Sequence, residues 1–219
     1  MITLNQMAYR LLDIKDLKPD IHWVRSTAFS IVDTRALLIR RDLQNGTRVS
    51  EHIIQHIPMM EVVKARLIEE DCYDLPLNCD YYRTKEKIPE PIKAKGFGGF
   101  TYVGTIDGKT PFSSVRQNLT GLKRGSRWSC NLENENSYFY RNGYIFIAGP
   151  RRKFIRISGV FEDPIAVMGL TGCGEDIPCD PFERKFPVSR DLSARIRQAL
   201  ISTELQYPER DDYQVNINE

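Results

Sequence analysis

Between Ile21 and Leu43 the apolar residues fall at Val24, Ala28, Ile31, Val32, Leu38, Ile39 and Leu43. That spacing is a single buried stripe on an α-helix. Asp20, just after Pro19, stands where an N-cap belongs, and Asn45-Gly46 supplies a left-handed stop. No Pro or Gly interrupts the run, which predicts a straight helix roughly 35 Å long at about 1.5 Å per residue. A helix of this kind is not stable alone in water, so other elements must pack its stripe. Its other face carries Arg25, Asp33, Arg40, Arg41 and Asp42, and is either solvated or turned toward another copy of the chain. Upstream, Leu4, Met7, Ala8, Leu11 and Leu12 predict a short amphipathic helix. Thr3 can cap it, with Gln6 as capping-box partner. Near the far end, Leu192, Ile196, Leu200 and Leu205 predict another amphipathic helix that begins at Ser189 or Asp191.

The middle of the chain has a different period. Ser50 can cap a helix of about two turns that ends before Pro58. This would put His52 and His56 on one face, as half of a metal site. No third ligand is placed nearby, and a structural or surface role is the plainer reading. From Met59 onward, short β-branched and aromatic segments alternate with turn residues. Asp107-Gly108 is a hairpin turn. Asn142-Gly143, between Tyr138-Phe139-Tyr140 and Tyr144-Ile145-Phe146-Ile147, is the clearest hairpin in the chain. In the segment from Phe154 to Phe161, Phe154 alternates with Arg156 while Ile155, Ile157 and Val160 can face inward. Asp163-Pro164 reads as the cap and first residue of a short helix.

This order predicts an α+β chain: a helical bundle formed by the N- and C-terminal helices, with an inserted antiparallel β-rich domain, either a small sheet or a partly open barrel. The expected division is 1–57 and 187–206 for the bundle, 58–163 for the β domain, 164–186 for a turn-rich connector, and 207–219 for an extended tail. The tail lacks periodicity, and its Tyr207, Tyr213, Val215 and Ile217 are candidates for contact with a partner.

Composition narrows the function classes without choosing among them. The chain has 219 residues, 41% hydrophobic and 27% charged, with net charge +2, so neither a nucleic-acid binder nor an acidic protein is signalled globally. It has no signal-peptide pattern and no apolar run of the roughly 20 residues that span a bilayer, which points to a cytosol. The five cysteines, Cys72, Cys79, Cys130, Cys173 and Cys179, are then expected as reduced thiols; a Cys173–Cys179 link is the alternative. No phosphate loop, HExxH or GxSxG is present, and Glu69, Glu70 and Asp71 are adjacent rather than convergent, so no enzyme activity, cofactor or metal is expected. Basic turns at Lys123, Arg124 and Arg127, and at Arg151, Arg152 and Lys153, lie near aromatics. They are solvated loops or contacts for a nucleic-acid backbone.

Four segments carry a resemblance: DTRALLIRRDL (Asp33–Leu43), RTKEKIPEPI (Arg83–Ile92), NGYIFI (Asn142–Ile147) and GVFEDP (Gly159–Pro164). Together they resemble a structural protein of crAss-like bacteriophages that is similar to the head-to-tail adaptor, or tail tubular protein A, of short-tailed phages. The resemblance implies packed helices with a β-rich insertion, assembled as a homo-oligomeric ring of twelve copies at the head–tail junction of the virion. It implies the portal and tail or further ring proteins as partners, and genomic DNA passing through the channel without sequence specificity. The protein would be made in the host bacterial cytoplasm. Arg40, Arg41, Arg151, Arg152 and Lys153 are the candidate subunit or DNA contacts. A small cytosolic nucleic-acid-binding protein, using the basic and aromatic β region, is the alternative reading.

Overall fold

The computed structural model describes residues 2–17, 20–65, 81–115, 136–148, 152–172 and 177–202. Their architecture is mixed α+β, with four α-helices and a seven-stranded curled sheet among the described residues. Helix α1 (Leu4–Ile14) starts with the expected capping box. Thr3 Oγ1 accepts from the Gln6 amide, and Gln6 Oε1 accepts from the Thr3 amide, both at 3.2 Å. Helix α2 (Ile21–Gln44) runs 24 residues and ends where Gly46, at φ +80°, turns the chain left-handed. All seven predicted stripe residues of α2 are buried, but Thr27 and Arg35 are buried with them. Asp20 does occupy the N-cap position, yet its side chain makes no capping hydrogen bond.

The predicted helix after Ser50 is one 3-10 turn, Glu51–Ile53. Ser50 Oγ caps it by accepting from the His52 amide. Strand β1 (Gln55–Lys64) follows at once, four residues earlier than the expected strand. The reason is burial with a period of two. Gln55 and Ile57 point inward while His56 and Pro58 point out, a pattern that no helix can present. Pro58 is tolerated because the pairing register shifts between Ile57 and Met60, so its missing N–H falls at an irregularity.

The remaining strands are β2 (Tyr81–Thr84), β3 (Phe100–Gly104), β4 (Ser113–Ser114), β5 (Ser137–Arg141), β6 (Tyr144–Ala148) and β7 (Phe154–Gly159). Their order across the sheet is β3-β7-β1-β2-β6-β5-β4. Strand β1 is long enough to serve both halves, pairing β7 through Gln55–Glu61 and β2 through Val62–Lys64. The β5–β6 hairpin turns at Asn142 (φ 51°) and Gly143 (φ 84°), the two successive left-handed residues that the Asn-Gly reading requires. After β3 the chain turns at Thr105–Thr110. Pro111 then bridges Gly104, and the Phe112 amide donates to the Val103 carbonyl at 2.7 Å. The next two residues form β4 and pair with β5. One segment, 111–115, therefore joins the two edges of the sheet, and the sheet curls closed.

Inside the curl, Ile57, Met60, Val62, Val103, Phe112, Ile145, Ile147, Ile155 and Ile157 make one apolar cluster. Phe100 centres an aromatic group there, 5.5 to 6.0 Å from the rings of Tyr138, Tyr140 and Phe161. A second cluster takes buried residues from α1, α2 and α4 (Arg190–Ser202), together with Ile53, Ile92, Val160 and Phe186. The chain passes between the clusters at consecutive residues, with Val160 in the helical cluster and Phe161 in the strand cluster. Gly159 is needed just before this point, because a Cβ there would lie 2.7 Å from the Gly99 carbonyl oxygen. Asp163 then caps α3 (Pro164–Leu170), its carboxylate accepting from the Ile165 and Ala166 amides at 2.8 and 3.1 Å.

Arg35 holds this junction. It is fully buried, and it donates from Nη1 to Phe161 O (3.0 Å), from Nη2 to Ile53 O (3.3 Å) and from Nε to Pro187 O (2.9 Å). Burial lowers its pKa to about 9, an effect that nearby Asp163 partly opposes, so the guanidinium is still charged at neutral pH. Replacing Arg35 by Met keeps an unbranched stem and removes every donor. Each buried carbonyl left without a partner costs about 1–3 kcal/mol, and losing the buried charge returns part of that, so Arg35→Met should lower the unfolding free energy by about 3 kcal/mol. Urea denaturation beside the wild type checks this, and a loss below about 1 kcal/mol would mean that Arg35 is not a clamp.

Candidate assembly surface

The cluster Arg40, Arg41 and Asp42 ends α2, and the three side chains go to three different places. Arg40 pairs with Glu162, just past the junction between the two cores. Asp42 receives both terminal nitrogens of Arg195 on α4, at 2.7 and 2.8 Å, and the partly buried fork raises the Arg195 pKa. Arg41 is exposed in the last turn, where a cation suits the helix dipole. Of the two candidates here, Arg40 is thus tied to the chain's own fold, and Arg41 faces outward.

The other candidates are spread out. Arg152 is exposed. Lys153 is exposed beside β7, with its Nζ 5.3 Å from the Phe154 ring centroid. Arg151 and the tail residues Tyr207, Tyr213, Val215 and Ile217 lie outside the described residues, as do Lys123, Arg124, Arg127 and Leu205. Cations do meet aromatic rings of the β5–β6 hairpin. Arg83 stacks 4.3 Å over Tyr144, Lys87 lies 6.0 Å from the same ring, and Lys93 lies 5.4 Å from Tyr140. Sequence reading missed these pairs because they join residues far apart in the chain.

The predicted histidine pair does not share a helix face. His52 is in the 3-10 turn and His56 is in β1, where its Nδ1 lies 2.8 Å from Ser158 Oγ across the β1–β7 pairing. Both line a cleft of about 600 Å3 between the 3-10 turn, α3 and the connector. Among the described residues no group of three His, Cys, Asp or Glu side chains can hold a metal ion. Arg184, at the floor of the cleft, is fully engaged. It donates to the carbonyls of Pro178, Met168, Thr171 and Gly172 and to Thr171 Oγ1, and so closes the C-terminal end of α3. Nearby Cys179 is disulfide-bonded, against the expectation of a reduced thiol; Cys173 lies outside the described residues. That expectation rested on a reducing compartment, which governs the oxidation of a thiol pair but not whether the chain brings two sulfurs together.

The outer face of α2 is less polar than the sequence reading made it. Between its charges it exposes Phe29 and Leu37, eight residues apart, and Ile21 at its start. They were legible as apolar positions off the buried stripe. A family model described as Phage tail ring protein 2, of the crAss ring group, matches residues 11–219. The chain belongs to this family. It is therefore a bacteriophage tail ring protein, a structural component of the virion. Compared with curated proteins, the chain has no match. No helix among the described residues is long and apolar enough to cross a membrane.

One pH effect follows from the geometry around His56. Burial and neighbouring Arg156 lower its pKa below the ordinary 6.5. The unfolded chain therefore takes up the proton first as pH falls. The stability contributed is complete above pH 6.5 and is lost as pH drops through the lowered folded-state value. On going from pH 7.5 to 5.5, the melting temperature of the wild type should fall further than that of His56→Gln. Parallel thermal melts check this, and identical falls would refute it.

Proposed function

We propose that this tail ring protein is a subunit of the head-to-tail connector, an adaptor ring that joins the portal to the tail and lines part of the DNA channel. The reading is carried by one observation, the family match along nearly the whole chain, 11–219. It is a structural role without catalysis. Helices α1, α2 and α4 form the body that packs against neighbours, the strand-rich middle of the chain projects from it, and the tail 207–219 serves for contact with an adjacent protein. About twelve copies close the ring.

The physics suits that role. A ring is built from head-to-tail contacts that close by rotation, which needs a rigid subunit with two different complementary faces. The Arg35 clamp and the Asp42–Arg195 fork supply rigidity by fixing the helices to one another and to the sheet. DNA passing through a channel needs weak, sequence-independent contact, which exposed cations such as Arg152 and Lys153 can give without a strongly basic chain.

Electron microscopy of intact particles tests the proposal. The chain is expected as a closed ring directly beneath the portal, with its channel continuous with the portal's. Native mass spectrometry of portal mixed with this chain should show complexes carrying about twelve copies. A ring placed elsewhere in the tail, or a chain that never binds portal, would overturn the connector role.

A further inference from the structure

Two surfaces of the helical layer stay largely open, although on the first the Phe29 ring stands edge-on to Phe182 at 6.4 Å. One is a ridge along α2 at four-residue spacing: Ile21, Arg25, Phe29, Asp33, Leu37 and Arg41. Residues four apart stand above one another, so these six make one continuous row, the kind of ridge that enters a groove between other helices. Phe29 is 56% exposed and Leu37 63%, and Asp33 stands one turn from each with no ion-pair partner among the described residues. The other is an open groove of about 390 Å3, lined by Ile14 at the end of α1 and by Ala194, Arg197, Gln198 and Ile201 on α4. Ile14 is 55% exposed and Ile201 44%. Arg197 stands one turn before Ile201, and its Nε is buried without a hydrogen-bond partner among the described residues.

We propose that the ridge at Phe29, Asp33 and Leu37 of one copy seats in the Ile14–Arg197–Ile201 groove of the next copy, with Asp33 pairing Arg197 across the contact. This rests on the ring reading above and names the interface that closes the ring. Three features favour a second copy as the occupant. The surfaces share no residue, as a head-to-tail contact demands. Each presents large apolar side chains, and these flank a lone carboxylate on one surface and a lone guanidinium on the other. Pairing the two charges gives the guanidinium a carboxylate acceptor while the flanking apolar groups leave water.

The test uses particles whose ring protein carries Leu37→Cys together with Ile201→Cys, oxidised and run on a denaturing gel. The expected result is a ladder at multiples of 25.3 kDa that neither single variant gives. In parallel, Asp33→Arg and Arg197→Asp should each reduce ring incorporation at least tenfold, and the two together should restore it. Circular dichroism verifies that each variant is folded, and Asp33→Asn and Arg197→Gln replace any that is not. If the double-cysteine chain enters rings but stays unlinked, the interface is wrong and the ring reading stands. Dimers from Leu37→Cys alone would mean a two-fold contact and overturn the head-to-tail geometry. If the wild-type chain is absent from particles, the ring reading itself falls.

Discussion

A charged guanidinium in the middle of a helix, with no carboxylate bonded to it, holds the fold together. Arg35 gives its donors to three carbonyls from segments far apart in the chain: Ile53 before the first strand, Phe161 after the last, and Pro187 before α4. Each lies where regular structure stops and a carbonyl has no ladder or helical partner of its own. Burying the charge is costly, as the lowered pKa records, and the three hydrogen bonds offset that cost only while all three segments are in place. The sheet's entry, the sheet's exit and the last helix are therefore fixed to one point on α2. The Phe186 ring, 5.8 Å from the guanidinium carbon, closes the site from another side.

Arg184 repeats the device at smaller scale. Its guanidinium collects the carbonyls left open at the C-terminal end of α3 and in the turns around it, and its charge also suits the negative end of the helix dipole. Both arginines do what neither Lys nor a neutral side chain can, which is to serve several fixed acceptors from one planar group. The exposed pairs contribute less. Lys85–Glu61, more than two-fifths exposed on both sides, and Arg40–Glu162 are screened by solvent. The irregular segments are thus held mainly by buried arginine–carbonyl bonds, while the regular elements are held by apolar burial.

The regular elements could be read from the sequence, and the junction between them could not. The stripe of α2, the Thr3–Gln6 box, the Asn142-Gly143 hairpin and the Asp163-Pro164 cap each depend on neighbours within a few residues, so local pattern carries them. The segment from Ser50 to Pro58 misled because Ser50 caps a 3-10 turn as readily as a helix, and because Pro58 looks like a terminator when it is a bulge residue. The burial of Arg35 could have been read, since Ile31, Val32, Leu38 and Ile39, three and four residues away, put it on the apolar stripe, but its bonding could not. Its partners are carbonyls 18, 126 and 152 residues away. The candidate surface was legible only in part. Arg41 faces outward as read, but Arg40 turns back to Glu162, a long-range pair that no local spacing announces.

The same closure that stabilises the sheet limits how copies can join. An open edge strand offers unpaired amides and carbonyls, and β-proteins commonly associate along it. Here the outer edge of β3 is covered by Pro111 and Phe112, and the next residues pair with β5, so the described sheet presents no free long edge. Contact between copies must then pass through side chains, and side-chain contacts close a ring only if each subunit repeats the same angle. A repeated angle needs a rigid subunit, and the buried arginine where the helices meet the sheet contributes to that rigidity. The fixed point is Arg35, whose three bonds reach 18, 126 and 152 residues along the sequence from deep in the interior.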